Sequence, residues 1–249
     1  MSPLRGLDDL PAISDVPSVT AAQMAEVDRV AIEELGIRLE MLMENASGGI
    51  AAACRALLGD VEGRRIVCLA GSGNNGGDAV GAARRLQGWG ADVRCVLAVP
   101  PERLAGTARL QYEIARRIGV PVASANEARL DAAELLVDGL LGYSVRGAPR
   151  GDVELLIRAA DRSRVPILAI DLPSGLHPDT GLPLGVTIRA AATVTLALPK
   201  VGLVTTPSRA LVGELLLADI GIPASVYERF GIDARRCFTS GDLVRVLVS

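Results

Sequence analysis

From Arg65 onward, short apolar runs alternate with stretches of helical periodicity, and this alternation constrains the fold more than any other feature of the 249-residue chain. Strands are predicted near 65–70, 92–99, 134–138, 166–170, 191–197 and 214–218. Helices are predicted near 78–88, 106–118 and 151–162, with a short one near 125–130. Runs such as Pro166-Ile-Leu-Ala-Ile170 are continuously apolar, as strands covered on both faces require. Strands that alternate with helices pair in parallel, and the helices cover the two faces of the sheet. The expectation is an α/β protein with a mostly parallel central sheet.

Two helices precede the first strand. Thr20-Ala-Ala-Gln23 has the spacing of a capping box, followed by Met24, Val27, Val30, Ala31 and Leu35 at helical intervals until Gly36. A second helix is predicted over 39–58, with Met41 and Met43 as packing residues and Glu44 and Asn45 as polar residues in need of partners. These helices pack over the sheet or against a second subunit, which leaves a homodimer open. Residues 1–17 carry Pro, Asp and Ser without apolar periodicity and are expected to form a flexible arm, with 18–249 as a single domain.

Composition removes several classes of function. Basic and acidic residues are mixed along a chain of net charge -3, and aromatics make up 2%, so neither nucleic acid nor an anionic membrane is an expected partner. No apolar run is long enough to span a bilayer. Cys54, Cys68, Cys95 and Cys237 are far apart and form no CxxC, which suits reduced core residues in a cytoplasmic protein. His177 is the only histidine, which argues against a histidine-built metal centre. Ser174 stands near it, but Asp-Leu-Pro-Ser-Gly is not the G-x-S-x-G of a hydrolase nucleophile.

In parallel sheets ligands bind beyond the carboxyl ends of the strands. Here those ends carry a coherent polar set. After the first strand comes Gly73-Asn-Asn-Gly-Gly-Asp78, where glycines admit a close ligand and a helix N-terminus favours phosphate. The third strand ends in Asp138, the fourth meets Asp171-Leu-Pro-Ser174, and the fifth meets Leu198-Pro-Lys200. Either carboxylate could cap a following turn, but together with Asn75 and Ser174 they suggest a binding site. Asn75, Asp138 and Ser174 offer oxygen ligands only, and a single carboxylate among them points to a monovalent cation. Gly71-Ser-Gly-Asn-Asn-Gly76 also fits G-x-G-x-x-G, yet the second strand runs into Pro100-Pro101 where a dehydrogenase wants an acid for the ribose.

The full set resembles the NAD(P)H-hydrate epimerases. The resemblance is carried by Met43-Glu-Asn-Ala46, Gly73-Asn-Asn-Gly-Gly-Asp78, Asp138-Gly-Leu-Leu-Gly-Tyr-Ser144, Asp171-Leu-Pro-Ser-Gly175, Leu198-Pro-Lys-Val-Gly202 and Ala218-Asp-Ile-Gly-Ile-Pro223. It implies a Rossmann-like three-layer α/β/α sandwich and an isomerase that interconverts the R and S forms of hydrated NADH and NADPH. Asn74, Asn75, Gly76, Gly77 and Asp78 would hold the substrate. Gly142, Tyr143, Ser144, Val145, Arg146, Gly147 and Ala148 would close on it, with Asp171 near the reacting carbon. Potassium (K+), one per subunit, would bind Asn75, Asp138 and Ser174. Asp171 is the candidate acid/base and Lys200 the second candidate. A separate NAD(P)H-hydrate dehydratase is the implied functional partner, because a fused dehydratase domain is not found in these residues. Two departures from the family pattern are Ala79, where a glycine is usual, and Tyr143-Ser144, where bacterial members often carry Thr-Gly and others Phe-Ser. The alternative is a non-catalytic nucleotide-binding or scaffolding module on the same fold, which would have little reason to keep Asn75, Asp138, Asp171 and Ser174 intact.

Overall fold

The computed structural model describes residues 5–248. Its strands are β1 (Ala12–Ile13), β2 (Arg65–Ala70), β3 (Asp92–Leu97), β4 (Val122–Ser124), β5 (Leu135–Gly139), β6 (Ile167–Ile170), β7 (Ala192–Leu196), β8 (Glu214–Ala218) and β9 (Leu243–Val246). Its α-helices are α1 (Ala21–Arg29), α2 (Leu39–Leu58), α3 (Asn74–Gly88), α4 (Gly106–Arg117), α5 (Gly151–Ser163), α6 (Arg209–Val212) and α7 (Ala224–Glu228). The strands form one sheet in the order β1-β9-β8-β7-β6-β5-β2-β3-β4. All of its pairings are parallel except β8 with β9.

Side chains alternate across the sheet as the pleat requires. Ile66, Cys68, Ala70, Val137 and Ile170 pack under α2, α3 and α4 on one face. Val67, Leu69, Leu136 and Ala169 pack on α5 on the other. A third cluster joins α1, α7 and the outer strands through Met24, Val27, Leu215, Leu217, Val244 and Tyr227. The result is the three-layer α/β/α sandwich.

Strand order reverses at β2. The chain runs outward through β3 and β4, then returns so that β5 pairs on the other side of β2. The loops leaving β2 and β5 therefore diverge across a crevice, the usual ligand position in such sheets.

Several expectations need correction. The arm expected at 1–17 contributes to the sheet: residues 1–4 lie outside the described residues, but Leu7 is buried and Ala12–Ile13 pairs in parallel with β9. β4 and β9 were also not expected; both are short, and only Val244 and Val246 of β9 are buried. The predicted helix at 125–130 is a 3-10 turn at Ala125–Glu127. The first helix is capped as expected, with Thr20 Oγ1 accepting from the Gln23 N–H at 3.1 Å and Gln23 Oε1 from the Thr20 N–H at 2.9 Å. It then widens into a π-helical turn at Val30–Glu34. Finally, α3 begins at Asn74 and not near 78, so the Asn-Asn-Gly-Gly run is its first turn.

That early start follows from packing, because two glycines in a first turn do not favour helix by themselves. A Cβ on Gly76 would lie 2.0 Å from the Gly71 carbonyl oxygen. One on Gly77 would lie 2.6 Å from Met43 Cε and 3.1 Å from Ala108 Cα. Both glycines let α3 approach its neighbours closely. Ala79 is accommodated by Gly139: a Cβ there would fall 2.6 Å from Ala79 Cβ.

Candidate active site

A cavity of about 460 Å³ lies over the switch in strand order. Its floor holds Asp171 and Lys200, the start of α3 supplies Asn74, Asn75 and Asp78, and Leu140 to Val145 form the wall after β5. α1 and α2 close the opposite side with Met24, Asp28, Leu42 and Met43.

Asp171 follows β6 directly and takes a left-handed backbone, φ +67. Asp tolerates that region better than most residues. Its N–H donates to the Val194 carbonyl at 2.8 Å, so the turn is tied to β7. Its Oδ1 accepts from Lys200 Nζ in an ion pair whose side chains are 5% and 1% exposed. Lys200 Nζ also donates to the Leu196 carbonyl at 3.1 Å and lies 5.3 Å from the centroid of the Tyr143 ring. The backbone around Lys200 is stitched to the segment before α1, with the Val19 N–H donating to Pro199 and the Val201 N–H to Val19, both at 2.9 Å. A buried ammonium needs such partners to remain charged.

Tyr143 donates its hydroxyl to Asp28 Oδ2 at 2.6 Å, joining the loop after β5 to α1. Burial pushes the Asp28 carboxyl up, while the Tyr143 hydroxyl and the Lys200 charge act in the opposite direction. Burial, and then the Asp28 charge, push the Tyr143 hydroxyl up, so it stays a donor. Asp28 was not among the residues expected from the sequence. A signal existed: it shares a helical stripe with Met24 and Ala31, a carboxylate where a nonpolar side chain belongs.

Asp138 and Ser174 meet behind the cavity wall, and Asn75, in the lining, is joined to Ser174 through Leu141. Asp138 is fully buried; its Oδ2 accepts from the Ser174 N–H at 2.8 Å, and its Oδ1 from Ser174 Oγ at 2.7 Å and the Leu140 N–H at 3.2 Å. The Leu141 N–H donates to Ser174 Oγ at 2.9 Å. Asn75 Nδ2 bridges the Leu141 and Ile170 carbonyls at 2.8 and 3.1 Å. Burial pushes the Asp138 carboxyl up to about 6, with the hydrogen bonds from Ser174 and Leu140 opposing it. The donor set is all oxygen with one carboxylate, and that carboxylate has no ion-pair partner among the described residues. Such a set fits an alkali cation.

The remaining expected residues fall outside the cavity lining. Gly76 and Gly77 are buried packing positions, and the Gly77 N–H is already bonded to the Gly73 carbonyl at 3.1 Å. Arg146, Gly147 and Ala148 are exposed along the same loop, beyond Val145. His177 Nδ1 accepts from the Asp179 and Thr180 N–H groups at 3.2 and 3.3 Å, while Ser174 is bonded to Asp138, so the two form no nucleophile–base pair.

A doubly wound sheet with a largely apolar cavity at its switch point, floored by a buried Asp–Lys pair, defines a small-molecule-binding α/β protein. The family described as YjeF-related protein N-terminus matches residues 39–202, and the chain belongs to it. It is 36% identical over 236 residues to the NAD(P)H-hydrate epimerase of Dehalogenimonas lykanthroporepellens, covering 94% of each chain. It is 41% identical over 214 residues to the bifunctional NAD(P)H-hydrate repair enzyme Nnr of Moorella thermoacetica, covering 82% of this chain but 40% of that protein. The chain thus spans about two fifths of the bifunctional relatives it matches. The crystal structure of the yeast protein YNL200c superposes with a TM-score of 0.77 at 24% identity, over 92% of this chain and 100% of that one, a likeness of fold.

Proposed function

We propose that the protein is an NAD(P)H-hydrate epimerase, an isomerase that interconverts the R and S forms of hydrated NADH and NADPH. The observation that carries this reading is the buried Lys200–Asp171 pair on the floor of a cavity open to the α3 N-terminus. Named epimerases of similar length and high mutual coverage support it. The first N–H groups of a helix have no intrahelical partner, and those at the start of α3 suit the dinucleotide phosphates. Asn74, Asn75 and the loop from Gly142 to Val145 would then grip the substrate. Inversion at a hydroxyl-bearing carbon needs a group that gives and takes a proton, and Asp171 is assigned that role. Lys200 orients Asp171 and balances its charge.

We also assign potassium to Asn75, Asp138 and Ser174. When bound, the ion supplies the positive charge that a buried Asp138 carboxylate lacks and ties the loops after β5 and β6 to α3. Those loops carry Tyr143 and Asp171. The protein is further assigned to the cytoplasm, where a dehydratase specific for one hydrate would use its product.

The test is R/S exchange of hydrated NADPH, followed by NMR with purified protein, with potassium and with tetramethylammonium in its place, beside Asp171→Asn. Acceleration that needs both potassium and Asp171 supports the reading. A folded, potassium-loaded protein that leaves exchange at its spontaneous rate refutes it, and binding without turnover would return the chain to a scaffolding role.

A further inference from the structure

Asp78 is a second carboxyl on the cavity wall, one turn into α3. It is 5% exposed, and its Oδ1 has no hydrogen-bond partner among the described residues. A buried carboxylate oxygen left in that state is costly unless a proton or a ligand satisfies it. The flanking backbone cannot retreat, because Gly77 packs on Ala108 and Ala79 on Gly139. Burial first, and then the like charge of Asp171, push the Asp78 carboxyl well above the usual range. Asp171 is held instead in an ion pair with Lys200. Of the three carboxyl groups in the cavity, Asp78 and Asp171 therefore stand in opposite settings, the arrangement that separates an acid from a base.

The next step rests on the epimerase reading. Hydration places the hydroxyl on a ring carbon next to the ring nitrogen, and inversion requires oxygen to leave one face and arrive on the other. A single acid/base group on one face serves only half of that exchange. We propose that Asp78 is the second proton-transfer residue of the reaction, serving the ring face opposite Asp171. The Asp78 proton passes to the departing hydroxyl, and the carbon–oxygen bond breaks with its electron pair leaving as water. The ring-nitrogen lone pair forms a carbon–nitrogen double bond. A water then adds to the opposite face, the double-bond pair returns to nitrogen, and the proton of the incoming water passes to Asp171. Nothing is oxidised or reduced. The reverse inversion uses Asp171 as acid and Asp78 as base, and returns both groups to their starting forms. Asp78, Asp171 and Asp28 all line the cavity, which suits the positive charge that develops on the ring.

The experiment compares the potassium-loaded wild type with Asp78→Asn and Asp78→Glu in water enriched in oxygen-18. It reads the initial R/S exchange rate, oxygen-18 in the inverted hydrate, and the Kd of unhydrated NADPH. Wild type is expected to take up one solvent oxygen per inversion. Asp78→Asn, close to the protonated group in shape, should lose at least about 100-fold in kcat, with Kd for NADPH changed by less than about threefold. Asp78→Glu restores a carboxyl and should recover part of the rate, which separates chemistry from a fold defect. Retention of kcat within about threefold in Asp78→Asn overturns the proposal, as does inversion by wild type without solvent oxygen. A loss in Asp78→Asn that resides in Kd also overturns it. A wild type that accelerates no exchange removes the epimerase reading itself, an outcome distinct from all of these.

Discussion

Lys200→Met leaves the Asp171 carboxylate facing a site whose two side chains are 5% and 1% exposed, with its counter-charge gone. Removing one member of a buried ion pair costs roughly 3–5 kcal/mol, because the other charge remains desolvated. Asp171 lines an open cavity, so water reaches it once the lysine is gone, which places the expected cost near ~3 kcal/mol. For a chain of this length that corresponds to a fall in Tm of about 6–12 °C. Asp171→Asn should cost less, about 1–2 kcal/mol, because Lys200 keeps its bond to the Leu196 carbonyl and its place over the Tyr143 ring. Asn also tolerates the left-handed backbone at this position. The double variant Lys200→Met/Asp171→Asn removes both charges and should recover about 2 kcal/mol relative to the sum of the singles. Urea unfolding measures this directly, provided that m stays constant across the four proteins. A coupling energy below about 0.5 kcal/mol would refute this, since it would show that the pair is solvated in the native protein.

Tyr143→Phe and Asp28→Asn should each destabilise by about 1–3 kcal/mol without adding in the double variant, and should speed amide exchange over residues 141–147. Additive losses would show that the hydroxyl and the carboxylate do not interact. Gly77→Ala should cost about 1–3 kcal/mol by forcing α3 away from the Ala108 backbone, whereas Gly73→Ala, with nothing within 4 Å of its Cβ, should change stability by less than about 0.5 kcal/mol. Equal losses at the two positions in thermal unfolding would contradict the packing assignment. Without potassium, the Asp138 contribution to stability is fully present below 3.8, its unfolded value, and is lost as pH rises through about 6. Adding potassium in place of tetramethylammonium should therefore raise Tm more at pH 7.5 than at pH 5, and a pH-independent increment would separate the ion from Asp138.

The polar residues of the cavity floor were legible in the sequence because a parallel sheet places them at the ends of its apolar runs. Asp138 is the penultimate residue of β5, Asp171 follows β6, and Lys200 stands four residues beyond β7, so each lies on the ligand side of the sheet. Asp28 could not be assigned in that way. It sits on α1, 115 residues from the tyrosine that makes it meaningful, and its partner is supplied only by the tertiary fold. The same distinction explains the misplaced start of α3. Local propensity puts Asn-Asn-Gly-Gly in a loop, and only the close approach of Gly71, Met43 and Ala108 turns it into helix. β1, β4 and β9 lie at or near the two edges of the sheet, where short segments carry little of the apolar periodicity that marks the central strands. The most telling feature is one that no periodicity can show. Asp171 and Ala197, each the first residue after a central strand, both have positive φ, +67 and +68. An alanine has no side-chain hydrogen bond to offset that conformation, so the surrounding structure must enforce it. Its N–H donates to the Ala218 carbonyl at 3.2 Å, as the Asp171 N–H donates to Val194. Two successive strands thus end in the same unfavourable turn, each locked to the next strand. The turns place the acid and the lysine that faces it, and relaxing either one should separate the pair before it unfolds the sheet.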